Sequence, residues 1–232
     1  MNLQIIEEEI RLYQYNLTRM RGRTERSNQA ESILNVLRNN FSFEGPINVI
    51  ETGASQDWND GMMGLLFAKI CERTGGKMWM VDIDENAIEK SKSVFQSEGI
   101  SCIEFVVDDS VNFLKNFQDE VHLIHLDSWD LNLKNPFPSA LHGWKEFEAI
   151  KDKISDHTIV IIDDNYMEGT WVQWNYVTES EIMSSETVVI SYPCVGKASH
   201  IWSWVQQPEN QWKLLSKNIP GENVKVICKK NK

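Results

Sequence analysis

Two patterns of apolar residues alternate along most of the chain. Short apolar runs, each with the length of a buried strand, occupy residues 48–50, 78–81, 103–107, 121–126 and 158–162. The stretches between them carry apolar residues at helical spacing and cover residues 62–71, 87–95, 111–117 and 144–154. Strands that alternate with helices predict an α/β fold with a doubly wound, mainly parallel sheet.

The two ends of the chain depart from this alternation. Apolar residues at helical spacing predict an N-terminal helical segment in residues 1–45. Three later apolar runs, residues 187–192, 200–205 and 224–228, predict strands that close the sheet in the antiparallel direction. A length of 232 residues suits one core of ordinary size. We therefore expect a single domain, with residues 46–232 as its cofactor-binding and catalytic core.

Composition narrows the classes of partner. The formal net charge is −11, from 34 acidic and 23 basic residues, which disfavours nucleic acids and anionic membranes. A small-molecule partner is expected instead, and assembly into a homo-oligomer is also compatible with the sequence. The first residues are acidic, unlike a secretory signal, so we expect a cytoplasmic protein. The four cysteines are scattered without paired spacing, which predicts reduced thiols and no zinc site.

The stretch 47–64 carries the first candidate site. An apolar strand ends in Glu51 and is followed by a turn of small residues, Gly53, Ala54 and Ser55. Glycine allows the backbone to approach a ligand closely, and the helix that follows offers free N–H groups. This layout predicts a site for a nucleotide-like cofactor.

The next two strands also end in polar residues. Asp82 ends the second strand, where a carboxylate is placed to accept both hydroxyls of a ribose. Asp109 and Ser110 end the third strand and are placed to face an adenine. The alternative is that Asp84 caps the next helix and Asp82 is a solvated strand end. Three consecutive strand ends favour the cofactor site.

The order and spacing of these residues resemble the class I methyltransferases that use S-adenosylmethionine. The G-x-G-x-x-G pattern of nicotinamide cofactors is absent, and the resemblance covers residues 47–166. It implies a Rossmann-like sheet in which Glu51 supports the turn and Trp129 lies against the adenine. It further implies that the cofactor is bound by Gly53, Ala54, Ser55, Asp82, Ile83, Asp109 and Ser110.

Carboxylates also gather at the ends of the fourth and fifth strands. Asp127 and Asp130 follow the fourth strand, and Asp163, Asp164 and Asn165 follow the fifth. Oxygen ligands from adjacent strand ends suit Mg²⁺ or Mn²⁺. The metal pair is Asp163 with Asp164, or Asp164 with Asn165 if the register is shifted. The alternative is repulsion between the carboxylates that nearby lysines or helix N-termini relieve.

This arrangement resembles the metal-dependent O-methyltransferases, both the catechol type and the type that modifies sugars. Asp127, Ser128, Trp129 and Asp130 match the D-x-W-K pattern of the catechol type, except that Asp130 replaces the lysine. The sugar-modifying type ends its fifth strand in two aspartates, as this chain does. The resemblance implies methylation of a hydroxyl on a small molecule or sugar.

By this resemblance the ion binds and activates the acceptor hydroxyl, and Asp127 and Asp130 are the catalytic residues. Asp130 is placed to accept the proton. Three alternatives stay open. A metal-independent small-molecule methyltransferase would use the same two aspartates as acid–base groups. A nicotinamide-dependent oxidoreductase shares the alternation of strands and helices, and a non-catalytic module would bind a nucleotide without turnover.

Overall fold

The structure, a computed structural model, describes residues 2–20, 24–41, 43–57, 62–132, 135–166, 172–175, 187–190, 195–215 and 225–229. The chain begins with two helices, α1 (Asn2–Tyr15) and α2 (Thr24–Asn40), and a short π-helical turn (Asn16–Met20) follows α1. The predicted N-terminal helices are therefore confirmed, and they end at Asn40, five residues before the predicted boundary at 45.

Strands and helices then alternate as predicted. Their order is β1 (Val49–Thr52), α3 (Met63–Thr74), β2 (Met78–Asp82), α4 (Glu85–Ser97), β3 (Ile103–Val107), α5 (Ser110–Asn116), β4 (Leu123–Leu126), α6 (Phe137–Ile150) and β5 (Ile159–Ile162). The last third contains β6 (Asn165–Tyr166), β7 (Val172–Asn175), β8 (Thr187–Ile190), β9 (Val195–Gly196), α7 (Ser199–Val205), β10 (Trp212–Leu214) and β11 (Lys225–Lys229).

Seven strands form the main sheet in the order β10-β11-β5-β4-β1-β2-β3. The five strands β1 to β5 are parallel, whereas β11 is antiparallel to β5 and β10 is antiparallel to β11. The order reverses between β1 and β4, and ligands of doubly wound sheets bind at the carboxyl ends of strands beside such a reversal. The predicted doubly wound sheet with antiparallel closing strands is confirmed.

Both faces of the sheet are covered by helices, which explains why β1, β4 and β5 are buried at every position. One core contains Leu37 of α2 and Phe67 of α3, and the other contains Phe147 of α6 and Trp202 of α7. The N-terminal helices therefore share a core with the sheet. Among the described residues, no helix has the length and apolar character needed to cross a membrane.

Two predictions for the last third are wrong. Residues 200–205 form helix α7 rather than a strand, because Ile201, Trp202 and Val205 are buried on one helical face, although their sequence also alternates. The strand predicted at 187–192 exists as β8, but it pairs with β7 and not with the main sheet. The strand predicted at 224–228 is confirmed as β11.

Candidate active site

A cavity of about 410 Å³ opens at the carboxyl ends of the parallel strands. It lies at the reversal of strand order, where the sequence places the cofactor and the acceptor. Its lining includes most of the predicted site residues: Gly53, Ala54, Asp82, Ile83, Asp109, Ser110, Asp127, Trp129, Asp130 and Asp164. The predicted residues Glu51, Ser55, Asp163 and Asn165 are absent from this lining.

The turn after β1 is tightly packed against β4. Gly53 has a φ of 89°, and a Cβ atom there would lie 2.5 Å from the carbonyl oxygen of Asp127. Because glycine has no side chain, it alone fits this close approach, which explains why position 53 is a glycine. The backbone N–H of Ala54 donates to Oδ2 of Asp82 at 2.8 Å. The turn and the end of β2 therefore form one unit.

Asp82 both supports this turn and faces the cavity. Its Oδ1 accepts a hydrogen bond from the N–H of Asp84 at 2.8 Å, and each carboxylate oxygen keeps a further lone pair for a ligand. Asp84 caps helix α4 by accepting from the N–H of Asn86, as the alternative reading of this segment has it. The two readings are compatible, because Asp84 supplies the cap while Asp82 supports the turn and faces the cavity.

Glu51 lies beneath the turn and is 1% exposed. Its Oε1 is 3.0 Å from Nδ1 of His125 and accepts from the hydroxyl of Ser55 at 3.3 Å. Ser55 in turn accepts from the N–H of Gly64, so its side chain faces the interior. Burial raises the pKa of Glu51. Glu51 is hydrogen-bonded to the turn through Ser55, whereas the side chain of Ser55, expected to approach the cofactor, is directed away from the cavity.

On the side predicted for the adenine, two aromatic rings face each other. Trp129 has a φ of 66° and is 57% exposed, and its ring lies 5.2 Å from the ring of His142. Nε2 of His142 is 3.1 Å from Oγ of Ser110. Asp109 is exposed and caps α5 by accepting from the N–H of Asn112. These groups offer a flat surface and polar edges to a base.

The sequence analysis missed His142 and Glu146, which lie one turn apart on α6. Glu146 is fully buried, and its Oε1 accepts from the hydroxyl of Ser128 at 2.6 Å. It also lies 3.7 Å from Nε2 of His142. The helix predicted at 144–154 begins two residues after His142, so the available signal was a histidine and a glutamate four residues apart, which is a common spacing with many structural uses.

At the other end of the cavity, the carboxylates bind a lysine that the sequence analysis also missed. Nζ of Lys197 donates to Oδ1 of Asp127 at 2.7 Å and lies 3.1 Å from Oδ2 of Asp164. The Lys197 side chain is completely buried. Burial alone would lower its pKa, but Asp127, Asp164 and Asp163 outweigh that effect and raise it. Lys197 is therefore a permanent cation.

The remaining predicted metal ligands make hydrogen bonds within the protein. Oδ1 of Asp163 accepts from the side-chain amide of Gln29 in α2 at 2.9 Å and from the N–H of Asp164 at 2.7 Å. Asn165 donates to the carbonyls of Ile162 and Asp163, and its Oδ1 accepts from the N–H of Ala198. Asn165 thus joins β5 to the start of α7.

These contacts test whether the site fits Mg²⁺ or Mn²⁺. Ligand atoms of His125, Asp127 and Asp163 do lie within 4.8 Å of one another. However, the ammonium of Lys197 already occupies the space between the carboxylates of Asp127 and Asp164. A divalent ion and a permanent cation would repel each other at this distance. The residues present therefore do not fit the predicted ion, and the alternative, relief of repulsion by a lysine, describes the structure.

Backbone contacts fix the position of this lysine. Strand β9 pairs with β6 so that Gly196 lies opposite Asn165, which brings the next residue to the end of β5. Gly196 has a φ of 139° and its Cα packs against the carbonyl of Asp164. A Cβ atom at Gly143 of α6 would lie 2.6 Å from the carbonyl oxygen of Lys197. Asp130, by contrast, lies exposed on the cavity lining.

Solved structures share this fold at low sequence identity. An S-adenosylmethionine-dependent methyltransferase from Clostridium acetobutylicum has a TM-score of 0.52 and 14% identity, with 94% of this chain and 96% of that chain covered. A putative methyltransferase from Streptococcus mutans in complex with SAH has a TM-score of 0.53 and 11% identity, with 87% and 97% covered. A methyltransferase from Podospora anserina, bound to SAH, has a TM-score of 0.52 and 14% identity, with 98% and 88% covered.

These likenesses confirm the predicted fold, that of class I S-adenosylmethionine-dependent methyltransferases. No curated protein sequence matches the chain. Residues 60–201, which hold β2 to β5, the acidic strand ends and Lys197, match the family described as the spermine/spermidine synthase domain. Because this match spans more than half of the 232 residues, the chain belongs to the spermine/spermidine synthase domain family.

Proposed function

We propose that the protein is an S-adenosylmethionine-dependent methyltransferase that acts on a hydroxyl of a small molecule or sugar. The observation that carries the proposal is the single cavity in which Gly53, Asp82 and Trp129 lie beside Asp127 and Asp130. The fold, shared with methyltransferases bound to SAH, supports the same cofactor here. The net charge of −11 supports a small acceptor rather than a nucleic acid.

The cofactor would lie along the ends of β1 to β3. Asp82 would accept hydrogen bonds from the ribose hydroxyls through its remaining lone pairs. Ile83, 74% exposed, and Trp129 would enclose the adenine, with Ser110 and His142 at its edge. The turn at Gly53 would then meet the amino-acid end. This orientation directs the methyl group towards Asp127 and Asp130.

The chemistry needs little beyond orientation and one proton acceptor. S-adenosylmethionine supplies a methyl group bonded to a positively charged sulfur. The acceptor oxygen forms a bond to the methyl carbon while the carbon–sulfur bond breaks, and that electron pair goes to sulfur. Asp130 accepts the hydroxyl proton. Oδ2 of Asp127, which accepts from no described donor, would orient the hydroxyl in line with the bond that breaks.

The metal-dependent form of this reaction, which the sequence favours, is not part of the proposal. Lys197 supplies the positive charge beside Asp127 that Mg²⁺ or Mn²⁺ would otherwise bring. The proposal is therefore the metal-independent methyltransferase that the sequence analysis holds as an alternative, with Asp127 and Asp130 as the catalytic residues.

A second candidate is transfer to an amine. Six carboxylates line the cavity, and no lysine or arginine is among the described lining residues. Such a surface attracts a cationic acceptor. The family to which the chain belongs is named after synthases of spermine and spermidine, which are polyamines. The six carboxylates belong to Asp82, Asp84, Asp109, Asp127, Asp130 and Asp164.

One assay tests both candidates. The purified protein is incubated with methyl-labelled S-adenosylmethionine and either a panel of sugars and catechols or a panel of diamines, and the products are identified by mass spectrometry. Labelled methyl ethers support the first candidate, and labelled N-methyl products support the second. If the wild-type protein binds S-adenosylmethionine but neither labels a compound of either panel nor hydrolyses the cofactor, the result would favour the non-catalytic module.

A matched pair of variants assigns the proton acceptor. Asp130→Asn keeps the shape of the side chain but removes its basicity, so the rate should fall by about 10² to 10⁴-fold while cofactor affinity is unchanged. Asp152→Asn, an exposed aspartate in a surface ion pair with Lys151, is the control and should leave the rate unchanged. Equal rates in both variants would remove Asp130 from the mechanism.

A further inference from the structure

We propose that Lys197 is a built-in cation which takes the place of a divalent ion at this site and positions the carboxylate of Asp127 towards the acceptor. The role towards the acceptor rests on the proposed function, but the replacement of an ion by Lys197 can be tested without turnover. Lys197 is a positioning residue, since it acts through Asp127 and is itself completely buried.

Lys197 balances the charge of a cluster of carboxylates. Asp127, Asp163 and Asp164 crowd the ends of β4 and β5, and the ammonium of Lys197 is the described cation that contacts two of them. Carboxylates this close repel one another unless a cation lies between them. In a metal-dependent enzyme, an ion bound from solution relieves this repulsion. Here the ammonium of Lys197, a side chain of the protein itself, relieves it.

The burial of Lys197 requires that its charge be paired. A lysine without exposure to water is costly unless its charge is paired and its N–H groups are used. Two of the three N–H groups of Lys197 are accounted for by Asp127 and Asp164. Because the ammonium donates to two carboxylates, it offers no lone pair to the proton of an acceptor hydroxyl. Its role must therefore be electrostatic and geometric.

The backbone around Lys197 is closely packed. Gly196 packs against Asp164, and Gly143 of α6 packs against the carbonyl of Lys197. The N–H of Ala198, the next residue, is bound to Oδ1 of Asn165 at 2.7 Å. These contacts hold the lysine from both sides. The ammonium can then fix Oδ1 of Asp127 and leave Oδ2 for the acceptor.

The proposal has a direct consequence for metal binding. If the charge of the ammonium excludes an ion, its removal should open an ion site at His125, Asp127 and Asp163, which adjoins the ammonium through Asp127 and whose ligand atoms already lie within 4.8 Å of one another. Carboxylate and imidazole ligands suit Mn²⁺. The wild-type protein should bind no Mn²⁺ there, whereas Lys197→Met should bind one ion per chain.

Electron paramagnetic resonance measures free Mn²⁺ directly and tests this without any acceptor. Equimolar wild-type protein should leave the free Mn²⁺ signal unchanged, Lys197→Met should reduce it, and Lys197→Met combined with Asp127→Asn should restore it. Lys92→Met, which removes a surface lysine paired with Glu89, is the control and should behave as wild type. The proposal is overturned if the wild type binds Mn²⁺ and Asp127→Asn abolishes that binding. It is also overturned if folded Lys197→Met binds no Mn²⁺.

Loss of a buried cation can also unfold the protein, so thermal melting is recorded with and without Mn²⁺. A melting temperature of Lys197→Met that Mn²⁺ raises, with no such shift in the wild type, supports the proposal. If Lys197→Met fails to fold in either condition, Lys197→Met with Asp164→Asn, which removes one excess negative charge, decides by the same Mn²⁺ titration. Uptake by this double variant supports the proposal and its absence overturns it.

Kinetics separate positioning from simple stability. In Lys197→Met the affinity for SAH should match the wild type, while kcat falls at least 10-fold and added Mn²⁺ restores part of it. Lys197→Arg keeps the charge and should retain more activity than Lys197→Met. Equal kcat in Lys197→Met and wild type overturns the positioning role. If no methyl transfer is found for any protein, the proposed function fails, but the Mn²⁺ titration still stands.

Discussion

Nζ of Lys197 lies 2.7 Å from Oδ1 of Asp127, although 70 positions separate the two residues in the chain. The backbone of Asp127 is held as well, because its carbonyl packs against Gly53 in the turn after β1. One aspartate is thus fixed from two directions, by the turn that would hold the cofactor and by the cation at the acceptor end. The two halves of the cavity meet at this residue.

The contact between Gly53 and Asp127 predicts a specific effect of Gly53→Ala. The new Cβ would lie 2.5 Å from the carbonyl of Asp127 in a backbone with φ 89°, so both strain and a clash are expected. A left-handed backbone alone costs about 1 to 2 kcal/mol, and the free energy of unfolding should fall by more than this amount. Affinity for SAH, measured by calorimetry, should fall with it.

Gly75→Ala is the matched control for this variant. Gly75 has a φ of 74°, but a Cβ there would meet nothing within 4 Å. It should show the backbone cost alone and no loss of SAH affinity. If urea denaturation gives equal losses for the two variants, the close approach at Asp127 is not significant.

Asp82 is expected to bind the ribose. Asp82→Asn should weaken binding of S-adenosylmethionine and SAH, because each hydrogen bond to a charged group contributes about 1.5 to 3 kcal/mol. Asp108→Asn serves as the control, since Asp108 follows β3 and binds Asn112 at the surface without lining the cavity. Calorimetry that finds unchanged affinity in Asp82→Asn would remove this residue from the site.

Trp129 is expected to stack on the adenine. Trp129→Leu should lower the affinity for SAH by about 1 to 3 kcal/mol, the usual contribution of an aromatic ring to a stacked base. Stability should change little, because the side chain is 57% exposed. Tyr15→Leu removes another aromatic ring, 58% exposed on α1, and should leave the affinity unchanged. Unaltered SAH binding in Trp129→Leu would place the adenine elsewhere.

The buried pair of His125 and Glu51 predicts a dependence of stability on pH. Burial alone would lower the pKa of His125, but the hydrogen bond to Glu51 and the charges of Asp127, Glu51 and Asp163 raise it above 6.5. The stabilisation is therefore complete below pH 6.5 and is lost as the pH rises through the folded value. Glu51, whose pKa burial also raises, acts in the same direction.

Urea denaturation at pH 6, 7 and 8 measures this effect. The wild type should lose free energy of unfolding across this range, and His125→Gln should lose less. His157→Gln replaces an exposed histidine and should keep the wild-type slope. A slope for His125→Gln equal to that of the wild type would show that His125 binds no extra proton on folding.

Removal of metal gives the simplest check of the proposed chemistry. Because Lys197 supplies the cation beside Asp127, methyl transfer should continue unchanged after dialysis against a chelator, and added Mg²⁺ should not increase it. Stopped assays with and without the chelator give the two rates. A rate that falls on chelation and returns with Mg²⁺ would instead support the metal-dependent reaction.

The sequence predicts the sheet well, and it brings polar strand ends to the cavity, because both depend on local patterns. Each parallel strand is a short apolar run, and its polar end residue follows within the next few positions, as with Asp82 after β2. Helix α7 was predicted as a strand because six residues are too few to separate a period of two from a helical period. His142 depends on the packing of α6 over the cavity, which no local pattern reports.

The acidic end of the cavity could be predicted only in part. The sequence correctly gathers Asp127 and Asp164 at one edge of the sheet, because parallel strands fix which ends meet. The cation between them comes from Lys197, which reaches this edge only through the pairing of β6 with β9. A two-residue strand carries too little pattern to be recognised, so an ion from solution was the natural inference.

The pairing of β6 with β9 also has a consequence for how this protein can diversify. The chain leaves the site at Tyr166 and returns at Val195, and these two residues are direct partners in the pairing. The number of residues between them can therefore differ among relatives without moving Lys197, because the pairing and not the interval sets the position of the lysine.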